Sequence, residues 1–256
     1  MDLSRVAIGI RTFLRDDKIR RALAGIQTTM SEAKIIVADC GENTNRKEVM
    51  YQSLIKDGHT IIRLPYDAGF GAMTNALIDA LDRDFLLIAS DDFDFAPSYV
   101  RQGIEKMQEV LDTTDVDIAA GRVKQHGAYE FSLEDRGDTV IEHRIDTNVT
   151  PTPWYIDVDL AVNYCLFKRR VFEKVRWEQD VKIMGGEHGA QFIKIKRAGF
   201  KVAFVPGAEI AEQEGEDSLE YKKMRSRHTD PPRVCFDRIG VKRYVLGSGQ
   251  VDYDAR

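Results

Sequence analysis

The chain has 256 residues, of which 43% are hydrophobic and 31% charged, and its formal net charge is −5 at pH 7. This length allows one large domain or two small ones with a buried core, and the composition is typical of a globular protein. The acidic balance disfavours a general nucleic-acid-binding protein, which is usually basic overall, although it still allows a local basic patch.

The cysteines are Cys40, Cys165 and Cys235, an odd number without the paired spacing of a metal site. They indicate packed or free thiols in a reducing compartment. No segment approaches the ~18 apolar residues of a membrane span, and the first residues lack the length and cleavage site of a signal peptide. We therefore expect a cytoplasmic protein without a transmembrane segment.

The first half of the chain alternates between short apolar strands and amphipathic helices. Strands are predicted over residues 5–10, 34–38, 59–64 and 85–89. The first helix has Ile19, Leu23 and Ile26 on one face, and further helices are predicted up to Ile55, over 69–81 and from Pro97. This alternation predicts the α/β class, with a mixed, mostly parallel sheet flanked by helices.

Polar side chains follow three of these strands. They are Arg11 and Thr12, then Asp39, then Asp91 and Asp92. Because ligands bind at the carboxyl ends of the strands in such sheets, we expect these residues to gather along one edge.

The second half is less regular. It contains a predicted strand at 116–120, a possible hairpin around residues 135–138, an alternating segment at 154–168, a helix at 189–198 and a strand at 201–205. A tail rich in Lys and Arg begins near residue 218.

An acidic cluster, IASDDFDFAP, occupies residues 88–97 and contains Asp91, Asp92 and Asp94. A carboxylate pair at a strand end can hold a hard divalent cation, with further oxygens supplied by a diphosphate. The alternative is a solvated turn in which Asp94 caps the helix that starts at Pro97.

A glycine-containing stretch, YDAGFGAMTN, occupies residues 66–75 and places Gly69, Gly71 and Asn75 at the start of a helix. Glycines allow a ligand to approach the backbone, and helix N-termini favour anions. The alternative is a plain turn into the helix. The incomplete glycine pattern disfavours a dinucleotide-dependent dehydrogenase.

Two further stretches carry chemistry. GGEHGAQF, residues 185–192, places the proton-transfer groups of Glu187 and His188 at a helix start; the alternative is that Glu187 caps the helix and His188 is a surface or core residue. YKKMRSRH, residues 221–228, offers Arg225 and Arg227 to a diphosphate and His228 to a metal; the alternative is a solvated helix face.

In their order and spacing, these stretches resemble the glycosyltransferases of the A-type fold over roughly residues 4–212. The resemblance is closest to the inverting family 2 and to the β-1,4-N-acetylgalactosaminyltransferases. The stretches that carry it are IGIRTFLRDDKIRRAL, IVADCGE, LPYDAGFGAMTNALIDAL, FLLIASDDFDFAP, VNYCLFKRRVFEKVRW and GGEHGAQFIKIKRAGFKVAFVP.

The resemblance implies a role for each matching residue. Nucleotide or donor contacts are implied for Arg11, Thr12, Asp39, Asp67, Gly69 and Asn75. Asp91 would contact the ribose or the metal, and Asp92 would be the main ligand of Mn²⁺ or Mg²⁺. Glu187 and His188 would occupy the base motif. The chain departs from the family pattern at Ser90 and His188, where acids are usual, and at Glu212, near the place of a frequent histidine ligand.

The function implied is a metal-dependent, inverting transfer of a sugar from a nucleotide sugar, most simply a UDP-sugar, to an acceptor hydroxyl. The acceptor could be a glycan, a lipid-linked glycan, a protein or a modified nucleic-acid base. The implied domain covers 1–215, with a nucleotide-sugar half at 1–121 and an acceptor half at 122–215, followed by a basic tail or lid at 216–256. The alternatives are a non-catalytic nucleotide- or carbohydrate-binding module and a sugar-nucleotidyltransferase.

Overall fold

The computed structural model describes residues 2–126, 130–145, 153–161, 164–182, 186–226 and 233–255. The diphosphate contact predicted for Arg227 and the metal contact predicted for His228 lie outside these residues. Within the described ranges, every helix is too short or too polar to span a lipid bilayer.

Strands and helices alternate through the first half, as predicted. The strands are β1 (Val6–Thr12), β2 (Lys34–Asp39), β3 (Thr60–Arg63), β4 (Phe85–Ser90), β5 (Phe93–Asp94), β6 (Ile118–Val123), β7 (Phe131–Asp135), β8 (Thr139–Arg144), β9 (Ile156–Val158), β10 (Cys165–Lys168), β11 (Val202–Glu212), β12 (Arg243–Val245) and β13 (Val251–Asp254). The helices are α1 (Asp16–Thr29), α2 (Asn45–Lys56), α3 (Phe70–Asp79), α4 (Ser98–Thr113), α5 (Glu187–Arg197), α6 (Leu219–Ser226) and α7 (Val234–Arg238).

The main sheet has the order β3-β2-β1-β4-β10-β6-β11-β5, with β9 also paired to β11. The first four strands in this order are parallel, whereas β10 runs antiparallel to both β4 and β6. The chain therefore winds from β1 outward to β3 and then returns to the other side of β1 to form β4. Such a reversal of strand order opens a crevice at the carboxyl ends of the two strands.

A smaller second sheet has the order β13-β12-β8-β7. The predicted hairpin is β7 and β8, which pair antiparallel, with Asp135 opposite Val140. The C-terminal strand β12 pairs parallel with β8. β12 is thus joined to the hairpin by backbone pairing, and β13 is joined to β12.

The main sheet is covered on both faces, as its continuous apolar strands predict. One face packs against α1, α2 and α4, with Ile19, Tyr51 and Ile104 buried there. The other packs against α3, α5 and the second sheet, with Leu77 and Phe192 buried there.

The structure extends one predicted strand. The sequence predicts a strand at 201–205, but β11 continues to Glu212, with a shift in pairing register between Phe204 and Glu209. Pro206 and Gly207 lie within that irregularity. A bulge tolerates proline and glycine, whereas a regular central strand does not. The extension brings Glu212 opposite Phe93, beside the acidic cluster.

Candidate functional site

A cleft of about 660 Å³ opens at the carboxyl ends of β1 and β4. Of the residues singled out in the sequence, it is lined by Arg11, Thr12, Asp67, Gly69, Asp91, Asp92, Glu187, His188, Glu212 and Arg225. The volume is that of a small-molecule site. The predicted gathering of strand-end residues is therefore observed for β1 and β4.

The first wall joins the end of β1 to the acidic turn after β4. Thr12 Oγ1 donates a hydrogen bond of 2.8 Å to Asp91 Oδ2, and both residues are at least 97% buried. Burial raises the pKa of Asp91 to about 6, against the opposing effect of Arg15. The turn itself is held by Gln213, whose side-chain amide donates to the carbonyl oxygens of Asp91 and Phe93.

Arg15, which sequence reasoning missed, lies on the acidic pair. Its Nη1 donates to Asp91 Oδ1 at 3.1 Å and to Asp92 Oδ2 at 2.7 Å. Burial by itself would lower the pKa of Arg15, but the carboxylates of Asp91 and Asp92 raise it overall. The one sequence signal for this residue is its position just before α1, in the turn that follows the first strand.

Arg11 connects the acidic wall to the opposite wall. Its guanidinium lies 3.9 Å from the ring centroid of Phe70 and donates to Thr74 Oγ1 at 3.3 Å. Burial lowers its pKa to about 10, while Asp91 and Glu187 both favour the charged form. Arg11 therefore carries a positive charge at neutral pH between the acidic pair and Glu187.

The opposite wall is the first turn of α5, which starts at Glu187, two residues earlier than predicted. The preceding Gly186 has φ 80°, in the left-handed region, and a Cβ there would lie 2.8 Å from the ring of Phe236. The imidazole of His188 contacts the rings of Phe70 and Trp177 edge-on, at centroid distances of 5.2 and 5.7 Å. Burial lowers the pKa of His188 to about 4, so its ring is neutral at pH 7.

Asp39 lies outside the cleft lining and has no exposed side-chain area. Its carboxylate accepts hydrogen bonds from the hydroxyl of Tyr51 at 3.0 Å, Nη1 of Arg63 at 2.9 Å and the backbone N–H of Gly41 at 2.8 Å. The nucleotide contact implied for Asp39 stays a prediction, and it would require these partners to rearrange.

At the two glycines of the 66–75 stretch, the backbone packs closely against another segment of the chain, residues 178–182. A Cβ on Gly71 would lie 1.9 Å from the carbonyl oxygen of Glu178, and one on Gly69 would lie 2.6 Å from Cα of Lys182. The backbone N–H groups of Phe70 and Gly71 donate to the carbonyls of residues 182 and 181. This helix start is therefore already hydrogen-bonded to residues 181 and 182, and the ligand contact implied for Gly69, which lines the cleft, stays a prediction.

Two other residues in this region that were expected to contact the nucleotide-sugar donor, Asp67 and Asn75, also contact residues 177–182. Asn75 lies outside the cleft lining, and its side-chain amide hydrogen-bonds both backbone groups of Trp177, at 2.9 and 3.1 Å. Asp67 has φ 55°, a conformation uncommon outside glycine, and its carboxylate accepts from Lys182 Nζ at 2.7 Å. Both residues thus help to shape the cleft wall through residues 177–182.

The donor set of the acidic turn fits a hard divalent cation in part. Asp91 and Asp92 supply carboxylate oxygens, the ligand type that Mg²⁺ and Mn²⁺ prefer. Within the described ranges, no group of three or more His, Cys, Asp or Glu side chains forms a preformed metal site. Glu212 instead pairs with Nε2 of His126 at 2.8 Å, and both line the cleft. A cation there would need further oxygens, such as those of a diphosphate.

No family model matches the chain. Part of its sequence is similar to β-1,4 N-acetylgalactosaminyltransferase 1 of Mus musculus, with 29% identity over 125 residues. That alignment covers 48% of this chain but only 21% of the mouse protein.

Solved structures extend the likeness to most of the chain. A mannosyltransferase from Pyrobaculum calidifontis, in complex with GDP-Man and Mn²⁺, matches 92% of this chain and 67% of its own, with a TM-score of 0.60 and 12% identity. GalNAc-T7, with UDP, GalNAc and Mn²⁺, matches 91% of this chain and 56% of its own, with a TM-score of 0.64 and 12% identity. The chain therefore has the A-type glycosyltransferase fold and, over about half of its length, resembles the β-1,4-N-acetylgalactosaminyltransferases.

Proposed function

We propose that the chain is a glycosyltransferase that moves a sugar from a nucleotide sugar, a UDP-sugar in the simplest case, to an acceptor hydroxyl with inversion of configuration. One observation carries the proposal: the cleft joins the acidic turn of β4 to Glu187 through the buried cation of Arg11. A leaving group and a base on opposite walls of one cleft are what a single displacement needs.

In this proposal, the donor binds across the ends of β1 and β4. Thr12, Asp67 and Asp91 would face the nucleotide, and Arg225, on the exposed helix α6, would approach the diphosphate. Asp92, with Asp91, would hold Mn²⁺ or Mg²⁺. When bound, such a cation offsets the negative charge that grows on the leaving diphosphate.

Glu187 is the better candidate for the base. A base becomes protonated as it acts, which turns a carboxylate into a neutral group but turns an imidazole into a cation. Forming an imidazolium at His188 is costly, because burial against Phe70 and Trp177 lowers the pKa of its ring. The positive charge of Arg11 lowers that pKa further. We therefore assign His188 a positioning role beside Glu187.

The test is transfer from a panel of UDP-sugars in the presence of Mn²⁺, with wild type, Asp92→Asn and Glu187→Gln. Loss of a positioned base costs about 10²–10⁴-fold in rate, and we expect Asp92→Asn to lose at least about 10²-fold, since preorganised charge stabilisation has that magnitude. Asp94→Asn is the matched control, because its carboxylate accepts from the backbone of Ala96 within its own turn. Wild-type rates in both site variants would rule out the assignment, and a product of retained configuration would rule out inversion separately.

A second candidate is a nucleotide-binding module without catalysis. The observation that favours it is Arg15, whose guanidinium already forms ion pairs with both Asp91 and Asp92. Calorimetry that detects UDP-sugar binding, together with no turnover across a panel of glycan, lipid-linked, protein and modified-base acceptors, would support this candidate over the enzyme.

A cytoplasmic location is part of the same proposal. Cys40, Cys165 and Cys235 are all unpaired and buried, which is compatible with a reducing compartment. The test is to unfold the protein and label its free thiols with a blocking reagent. Equal labelling of samples prepared with and without reductant would show that the three cysteines stay reduced.

A further inference from the structure

Arg15 is held in an unusual way. Its side chain is 8% exposed and contacts three carboxylates, those of Asp91, Asp92 and Asp217. The preceding residue, Leu14, has φ 56°, in the left-handed region that favours glycine. This backbone turn directs a long cationic side chain into the cleft instead of into solvent.

The contacts of Arg15 are of two kinds. On one side, Nη1 lies on the acidic pair that is proposed to hold a cation, at 3.1 and 2.7 Å. On the other side, Nη2 reaches Asp217 at 2.8 Å, and the guanidinium lies 3.9 Å from the ring centroid of Tyr221. Tyr221 belongs to α6, none of whose residues is fully buried. Asp217 and Tyr221 therefore belong to a segment whose residues are mostly exposed.

One donor of Arg15 is left over. Its Nε is buried, and no hydrogen-bond acceptor for it is found among the residues that the structure describes. An unsatisfied charged donor in a cleft costs free energy, and the oxygens of a diphosphate match the donor geometry of a guanidinium. Arg15 thus has both the charge and a spare donor for a diphosphate.

We propose that Arg15 is a donor-binding residue that, before the donor arrives, is stored on Asp91 and Asp92 in the place of a cation. This inference rests on the proposed function. It implies that a nucleotide diphosphate and a divalent cation bind together. Asp91 and Asp92 would then hold the cation, and the guanidinium of Arg15 would move to the diphosphate oxygens. A positive charge thus faces the acidic pair in both states.

Two binding constants test the exchange, both by calorimetry: Mn²⁺ alone, and UDP with saturating Mn²⁺. In Arg15→Gln, Mn²⁺ alone should bind about tenfold more tightly, because its competitor is gone, and UDP should bind about ten- to a hundredfold more weakly, because charged hydrogen bonds are lost. Arg20→Gln, on the exposed face of α1, is the matched control and should change neither constant.

Asp217→Asn gives a second, independent reading. It removes one carboxylate that competes for Arg15 but leaves the acidic pair intact, so UDP should bind about threefold more tightly, since a single charge contact is weakened. The two variants thus move UDP affinity in opposite directions, which a general loss of folding would not do. Thermal unfolding of each variant checks that it is folded.

Three results would overturn the proposal: Arg15→Gln weakening both ligands, Arg15→Gln leaving UDP binding unchanged, and wild type failing to bind UDP with Mn²⁺. Binding constants that shift as expected in a protein that transfers no sugar would refute the proposed enzyme but support the exchange. The two ideas can therefore fail separately.

Discussion

At the scale of single residues, two neighbouring side chains that the sequence offers for proton transfer lie in different environments. Glu187 and His188 are adjacent in sequence, and the sequence alone leaves the base open between them. In the structure, the imidazole of His188 is enclosed by two aromatic rings, and burial lowers its pKa. Phe70 is far from His188 in the chain, and Trp177 precedes His188 by 11 residues, outside helix α5, so the local pattern of α5 predicts neither neighbour.

His188 should make stability depend on pH. Its pKa is about 4 in the folded chain and about 6.5 when unfolded, so between these values the unfolded chain binds more protons. The free energy of unfolding should therefore fall as the pH drops from 7 to 5, by about 1 kcal/mol from this residue, after allowance for its partial exposure. Urea unfolding at both pH values measures this difference in wild type and in His188→Gln, which should lose it.

His143→Gln serves as the control for this prediction, because the side chain of His143 is 54% exposed. The control should keep the wild-type difference between pH 7 and pH 5. An equal difference in wild type and His188→Gln would mean that the ring is not kept neutral by burial.

At the scale of elements, α3 is positioned by a contact that its own sequence does not specify. The two glycines at its start bring the helix against residues 178–182, and the ligand approach expected there from the sequence stays a prediction. Asn75, one turn further along, hydrogen-bonds the backbone of Trp177 from the same helix. The helix and this segment therefore form one wall of the cleft.

Gly71→Ala tests this packing. In an exposed helix, alanine in place of glycine stabilises by about 1 kcal/mol. Here the added methyl group would lie 1.9 Å from a carbonyl oxygen, so we expect the opposite sign, a loss of about 2 kcal/mol or more. The urea midpoint at an unchanged m-value measures this loss, with Ala72→Ser, on the same turn, as the control. A stabilised Gly71→Ala variant would show that the segment does not pack as described.

At the scale of the whole molecule, the region predicted as one tail contains two differently held parts. Helix α6 is exposed, whereas residues 243–254 complete the second sheet. Phe236 is 1% exposed and stacks on Tyr244, whose hydroxyl hydrogen-bonds Glu142 of β8. The domain boundary at residue 215 stays a prediction. Tyr244 of β12 and Phe236 pack in the same hydrophobic cluster as α5, the helix that begins at Glu187.

Phe236→Ala should therefore destabilise the whole chain. Removing a fully buried phenylalanine costs about 3–5 kcal/mol, and the loss should appear in one cooperative unfolding transition. Calorimetric unfolding measures it, with Val49→Ala, whose side chain is 74% exposed, as the control. A separate early transition, with the main transition unchanged, would mean that the C-terminal region unfolds on its own.

Local patterns were sufficient for the α/β class, the order of the first four strands and helices, the hairpin and the carboxyl-end placement of Thr12, Asp91 and Asp92. Apolar periodicity and turn residues are short-range signals, and each is complete within about ten to fifteen residues of sequence. They failed where the chain interrupts its own pattern, as at Pro206 and Gly207, beyond which β11 continues.

Only the tertiary structure decided which groups the candidate site residues contact. The partners of Arg15 include Asp217, 202 residues away in the chain, and the partners of Asp39 enclose it completely. Burial and charge pairing depend on which distant segments meet, and residue spacing carries no information on that. The sequence by itself determined that Thr12, Asp91 and Asp92 follow strands at one edge of the sheet, and the folded chain decided that Arg15 lies on the acidic pair while Asp39 stays inside.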